Sequence, residues 1–294
     1  MDRESIVANI TTPQIPNMLS VSLPKVAPQS PPAVPPRSRF GHTTIRAREA
    51  WVKLQTRLAK VTIEGLSLLA FMVVLSSGAV ALEHPASPVH HWLPQPVVRR
   101  AMMGLLAGGW LVGLIYSAWG QKSGAHINPA VTLSMLRLKR IPWREAAMYI
   151  AAQVAGAVIG MQIASFIYGD YLRRPDIHFI TTTPGAAGPW VALLVETALS
   201  FVLMSSIIFT SDRRGWQRTT GLLVGLLILS LTVVAAPLSG LSLNPARTLG
   251  SAVAAHDYGD VWLYCLGPVL GMQLATELLR RRDIRRALSL RGKT

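Results

Sequence analysis

An all-α membrane protein built as an inverted repeat is the fold class that this sequence predicts, and three observations carry it. Half of the 294 residues are hydrophobic, arranged in several long apolar runs, which is the composition of a polytopic membrane protein. The stretch Ser123-Gly124-Ala125-His126-Ile127-Asn128-Pro129-Ala130-Val131-Thr132-Leu133 recurs as Ser239-Gly240-Leu241-Ser242-Leu243-Asn244-Pro245-Ala246-Arg247-Thr248-Leu249, with seven of eleven positions identical. Finally, the net charge of +15 is concentrated at the edges of the apolar runs, as the positive-inside rule requires. Charge placed there, without a basic face interleaved with exposed aromatics, argues against nucleic acid as a partner. The lipid bilayer is the partner that the composition implies.

The first 50 residues hold eight prolines and little periodicity, so residues 1–57 are expected to form a proline-rich, basic, disordered cytoplasmic tail. The stretch has no apolar h-region and is not a secretory signal peptide. Its few acidic residues leave a transit peptide as the alternative.

Six spanning segments follow, each close to the ~20 residues that cross a bilayer. They cover roughly 61–82, 99–119, 144–168, 190–210, 217–236 and 261–279. The order is span, span, half-helix, span, and then the same again. Residues 58–282 are thus expected to be one membrane-spanning domain with repeats at about 58–170 and 188–282, and residues 283–294 a basic cytoplasmic tail. Other features recur in step. Glu64 opens the first span and Glu196 lies in the fourth, and Gly156–Ala164 resembles Gly267–Ala275 at six of nine positions. An odd number of spans per repeat inserts the second copy upside down. Of the 29 lysines and arginines, 23 fall on the side of both termini and four on the other, so both termini are expected in the cytoplasm. The single cysteine, Cys265, excludes an intrachain disulfide.

In each duplicated stretch, turn chemistry leads to an Asn at the N-cap and a Pro at the first helical position. About ten apolar-rich residues follow, or ~15 Å of helix, half a bilayer. Two such half-helices direct two positive helix ends and the amides of Asn128 and Asn244 at the membrane midplane. Amide donors there favour neutral oxygen-bearing solutes over cations. Each Asn has a capping role and a pore-lining role at once.

Arg247 at membrane depth needs a wet cavity or partner groups. The expected role is a pore-lining donor and cation barrier rather than a structural ion pair. Glu64 and Glu196 are expected to accept hydrogen bonds from the non-helical backbone of the Ser-Gly loops, with a proton relay as the alternative. His126 is expected to be a hydrogen-bonded structural residue or a lining residue of the inner vestibule. No phosphate loop or metal-ligand spacing is present, and the Gly-rich spacings suit close helix crossing. No cofactor, metal or enzymatic activity is therefore expected.

Two Asn-Pro-Ala motifs (Asn128, Pro129, Ala130 and Asn244, Pro245, Ala246) in inverted repeats, with Arg247 after the second and Glu64 and Glu196 in spans one and four, resemble the aquaporin or major intrinsic protein family. The resemblance covers residues 58–282. It implies a right-handed bundle of six helices and two half-helices, a homotetramer with one pore per subunit, and passive passage of water and small uncharged solutes. It places the chain in a cell membrane, plasma or inner. Counting from the motifs without gaps, it implies a selectivity filter of Gly108, Thr232, Leu241 and Arg247. This set matches neither the strict water channels nor the glycerol channels of the family. With no bulky ring at Gly108 or Thr232, the opening is expected to be wider than a water-only filter, as in channels for polyols, urea, ammonia or metalloid hydroxides. Lys122 stands where the family has an apolar residue and is expected either to snorkel outward or to act at the cytoplasmic mouth. An ion-coupled secondary transporter is the alternative of a different class.

Overall fold

The computed structural model describes the backbone of residues 39–291 and the side chains of residues 48–281. The helices in chain order are α1 (Arg39–Glu83), α2 (Pro88–Trp92), α3 (Pro96–Tyr116), α4 (Ala118–Ser123), α5 (Pro129–Arg137), α6 (Trp143–Tyr168), α7 (Asp170–Arg173), α8 (Pro189–Ser211), α9 (Thr220–Ser239), α10 (Pro245–Ala255) and α11 (Val261–Arg291). Short 3-10 turns at His178–Ile180 and Gln217–Thr219 complete them, and no strand occurs among the described residues. Six of these helices, α1, α3, α6, α8, α9 and α11, are the spans of the bundle, and α5 and α10 are the two half-helices. By length and composition, α1, α3, α6, α8 and α9 qualify individually among the described residues. The sixth, α11, is less apolar because Pro268, Gln273 and Glu277 interrupt it.

Parts of both expected tails are helical. Residues 39–57 are helical and continue directly into the first span. No proline occurs after Pro36 in this stretch, and residues 46–57 are mostly Ala, Arg, Glu, Lys, Gln and Leu, all strong helix formers. The proline-rich part of the expected tail, residues 1–38, lies outside the described residues. At the other end, α11 runs through the expected C-terminal tail to Arg291.

Residues that suit lipid lie on the outside of the bundle. Ile159, Leu194, Leu226, Val234 and Leu274 are exposed within the spans. Trp143, Trp190 and Trp262 sit at the first turns of α6, α8 and α11, the depth at which indole rings prefer a membrane interface.

Helix pairs meet through glycine where the backbones must approach closely. A Cβ on Gly156 of α6 would collide with the Gly65 carbonyl of α1. A Cβ on Gly271 of α11 would collide with the Thr197 carbonyl of α8. Gly65 follows Glu64 and Thr197 follows Glu196, so these two contacts are equivalent. The structural partner of Gly156 is therefore Gly271, one helical turn beyond the Gly267 that the local sequence match suggests. A shift of four residues keeps the same helix face, so both registers present small residues to the neighbour. The half-helices then lock the repeats together: α5 packs against α6 and α11, and α10 against α6, α11 and α5.

Candidate functional site

The two Asn-Pro-Ala loops share one backbone conformation. Gly124, Ala125 and Ile127 have positive φ (95°, 49° and 35°), and so do Gly240, Leu241 and Leu243 (74°, 52° and 54°). For a β-branched residue such as Ile127 this is a strained conformation, costing roughly 1–3 kcal/mol. Buried carboxylates hold the loops there. Glu64 accepts from His126 N at 3.0 Å and Ile127 N at 2.6 Å, and from Gln153 Nε2 at 2.8 Å. Glu196 accepts from Ser242 N at 3.0 Å, Leu243 N at 2.8 Å and Ser239 Oγ at 2.8 Å. Both carboxylates are fully buried.

A second symmetric pair completes the support. Tyr149 donates its hydroxyl to Ser123 O at 2.8 Å, and Tyr264 donates to Ser239 O at 2.6 Å. Sequence reasoning missed both tyrosines. Their signal was present but displaced: Tyr149 lies seven residues before Gly156, and Tyr264 seven before Gly271. The one-turn shift of the glycine match hides that equivalence.

The asparagines do two things with one amide. Asn128 Oδ1 accepts from Ala130 N at 2.9 Å, which caps α5, and Asn244 Oδ1 accepts from Ala246 N at 3.1 Å, which caps α10. Each Nδ2 then donates across to the opposite loop: Asn128 to Leu243 O at 2.7 Å, and Asn244 to Ile127 O at 2.8 Å. An amide nitrogen carries two hydrogens, so one N–H on each asparagine remains for the lumen. Pro129 and Pro245 open the two helices, and Ala130 and Ala246 are fully buried behind the amides.

Both asparagines line a cavity of about 330 Å³. One wall is a stripe on α3, Arg100, Met103, Ala107, Leu111 and Ile115. The facing stripe on α9 is Thr220, Val224, Ile228, Thr232 and Ala236. Each stripe repeats about every four residues, one helix face, and covers ~22 Å at ~1.5 Å per residue. Phe71 and Leu75 of α1 and their counterparts Leu203 and Ile207 of α8 close the sides. The walls are thus mostly apolar, with polar groups at the asparagines, Ser242, Thr232, His126 and Arg247 and, toward the ends, Glu83, Arg100 and Thr220.

Of the four expected filter residues, Thr232, Leu241 and Arg247 line this cavity and Gly108 does not. A Cβ at Gly108 would run into the Gly225 carbonyl of α9, so the residue serves the α3–α9 crossing. The α3 residue on the lumen is its neighbour Ala107, which is buried. The correction has a local cause. α3 ends at Tyr116, Ser117 leaves helical geometry (φ −68°, ψ 155°), and its hydroxyl caps the short α4 by accepting from Gly120 N at 2.9 Å. A count of residues back from Asn128 runs across this break and does not say which of Ala107, Gly108 and Gly109 turns to the lumen.

Thr232 returns its hydroxyl proton to Ile228 O at 2.6 Å, which leaves its oxygen as an acceptor at the wall. Arg247 Nη1 donates to Thr182 Oγ1 at 2.6 Å. Thr182 in turn shares a hydrogen bond with Thr248 Oγ1 at 3.2 Å, and Thr248 with Ser242 Oγ. A chain of hydroxyls therefore ties the guanidinium to the second loop. Thr182 lies between the repeats, in a loop with no periodic signal from which to find it.

His126 combines its two expected roles. Its Nδ1 lies 3.2 Å from Thr132 Oγ1, its ring meets Tyr149 edge-on at 5.4 Å, and the residue is on the cavity wall. Lys122 is exposed in the last turn of α4 and is not on that wall. Lys122→Ile should leave water and solute permeability unchanged within the error of a vesicle swelling assay.

Comparison with known proteins agrees with this architecture. The family model described as Major intrinsic protein matches residues 52–278. Aquaporin NIP2-1 of Oryza sativa subsp. japonica is 39% identical over 168 residues, covering 56% of this chain and 54% of its own. Putative aquaporin NIP4-1 of Arabidopsis thaliana is 41% identical over 160 residues, with 54% of each chain covered. The match therefore spans about half the length of these relatives. In fold, the chain is similar to the aquaglyceroporin from Plasmodium falciparum, with a TM-score of 0.61 and 21% identity, over 75% of this chain and 94% of that one. With the family model covering most of its length, and with two capped half-helices meeting at paired asparagines, the chain belongs to the major intrinsic protein family.

Proposed function

We propose that the protein is a passive transmembrane channel for water and small uncharged solutes that excludes protons and other ions. The observation that carries this reading is the asparagine pair. Each amide is fixed by capping its helix and by a bond to the opposite loop, and each keeps one N–H for a passing oxygen. Two helix N-termini add partial positive charge at the same place. A cation meets the donors, the helix dipoles and Arg247, with Glu64 and Glu196 turned into the loops and occupied there. A neutral hydroxyl or carbonyl oxygen finds donors along an otherwise apolar wall and so binds weakly enough to leave.

The opening is wider than that of a strict water channel. Ala107 and Thr232 place no ring on the facing walls, and Leu241 adds a flexible apolar surface. Glycerol, urea, ammonia and metalloid hydroxides fit such an opening. The names of the similar proteins, aquaporins and an aquaglyceroporin, agree with water and polyol passage. The protein sits in a cell membrane with both termini in the cytoplasm, on the strength of its lysine and arginine distribution. It assembles as a homotetramer by analogy with the family.

Stopped-flow light scattering on proteoliposomes tests the reading. Water, glycerol and urea should all cross at low activation energy, without proton or sodium leak. Fast water with no solute uptake would mean that the filter is narrower than Ala107 and Thr232 imply. Flux that follows a proton gradient would instead indicate a coupled transporter.

A further inference from the structure

We propose that Arg100 forms a binding station for small carboxylate anions at the mouth of the cavity where α1 ends and α3 begins, and that an anion held there competes with the entry of neutral solutes. The proposal rests on the channel reading above for its consequence, but the binding itself does not need flux.

Two adjacent arginines in the first turns of α3 have opposite surroundings. Arg99 is fully engaged: its Nε donates to Glu83 Oε2 at 2.9 Å, and its Nη1 to the carbonyls of Leu93 and Pro94 at 3.0 Å each. Arg100 takes part in none of the ion pairs among the described residues. Its Nε is shut away from solvent without a hydrogen-bond partner, while the residue itself lines the cavity. Among the described residues no hydrogen bond or ion pair reaches this guanidinium, so its free side faces the lumen.

The only carboxylate of the described residues on the cavity wall is Glu83, and Arg99 already holds it. The mouth therefore carries an unneutralised cation above a second one, Arg247. A planar guanidinium with its terminal nitrogens free matches a carboxylate through two parallel N–H···O bonds. The apolar neighbours Met103 and Ile180 on the same wall lower the local dielectric and strengthen that pairing. A small carboxylate is favoured because the station lies at the entrance of a narrow cavity. An anion bound there occupies the entrance that neutral solutes must use.

Glycerol uptake by proteoliposomes in sodium formate tests this, compared with sodium chloride at matched osmolarity and ionic strength. Formate should slow uptake, and formamide, an uncharged molecule of similar shape, should not. In Arg100→Gln, measured against that variant's own uptake in chloride, the formate concentration for half-inhibition should rise about tenfold, the loss of one charge-assisted pair. Arg100→Lys should retain part of the inhibition. Isothermal titration of formate into the detergent-solubilised wild-type protein reads binding without flux or a variant. Equal inhibition of wild type and Arg100→Gln would move the anion to Arg247 and overturn the proposal. Absence of both formate binding and inhibition in a wild-type protein that conducts glycerol would do the same. A protein that binds formate but conducts neither water nor glycerol would overturn the channel reading and leave the station standing.

Discussion

Ala107→Phe is expected to leave the protein folded and to cut glycerol and urea uptake by about tenfold or more, because it places a ring on the lumen opposite the α9 stripe. Gly108→Phe is expected to do the opposite: little protein should reach the membrane in folded form. The two residues are neighbours and both small, but they face different neighbours. Ala107 is on the cavity wall, so added volume displaces solute. Gly108 lies against the Gly225 carbonyl where α3 crosses α9, so even a single carbon must force the helices apart. Overpacking typically costs ~1–3 kcal/mol, and here the obstruction is backbone that no rotamer change relieves. Adding Thr232→His to Ala107→Phe should deepen the solute block while sparing water, since a ring on each stripe restores a narrow opening. Stopped-flow measurements of both solutes, with the folded fraction read by size-exclusion chromatography in detergent, separate the two effects. If Gly108→Phe folds and blocks solute while Ala107→Phe conducts normally, the assignment of the lumen face of α3 is wrong.

That pair of residues also shows what the sequence can and cannot reveal. The half-helices were legible because their signal is local: an Asn followed by Pro fixes the cap and the first helical position in the same few residues. Duplication then made the signal hard to mistake. The span positions were legible for a similar reason, since length and hydropathy act within each segment. The face of α3 was not legible, because a count back from the motif does not say which of the adjacent small residues Ala107, Gly108 and Gly109 turns to the lumen. The partnership of Gly156 with Gly271 was obscured by a better local match one turn away. Thr182 had no signal at all: its importance is that it meets Arg247 and Thr248 in space, and nothing periodic leads to it. In each missed case the information is tertiary, a matter of which side chain faces which element.

Glu196→Leu is expected to abolish the folded state rather than tune the channel. In the wild-type protein this carboxylate takes two backbone N–H groups, from Ser242 and Leu243, and the hydroxyl of Ser239. Removing it leaves all three donors buried, at roughly 1–3 kcal/mol each, in a region where no bulk water replaces them. The strain makes the loss larger. Leu241 and Leu243 hold positive φ only while their neighbours' N–H groups have an acceptor, and without it the loop can relax to ordinary backbone. Relaxation would turn Leu243 O away from Asn128 Nδ2, so damage in the second loop reaches the first asparagine. Glu196→Gln distinguishes this from a charge effect. The glutamine oxygen can still accept from one or two donors, while its NH2 faces a third with nothing to accept, so the variant should fold partially and conduct less. Glu64→Leu should behave as Glu196→Leu does, since Glu64 fills the same place for His126, Ile127 and Gln153. Thermal unfolding in detergent, followed by circular dichroism, gives the order expected: wild type, then Glu196→Gln, then either leucine variant. If the carboxylates instead relay protons, the leucine variants should remain folded and conduct water normally, and the glutamine variant should lose only a proton-dependent flux.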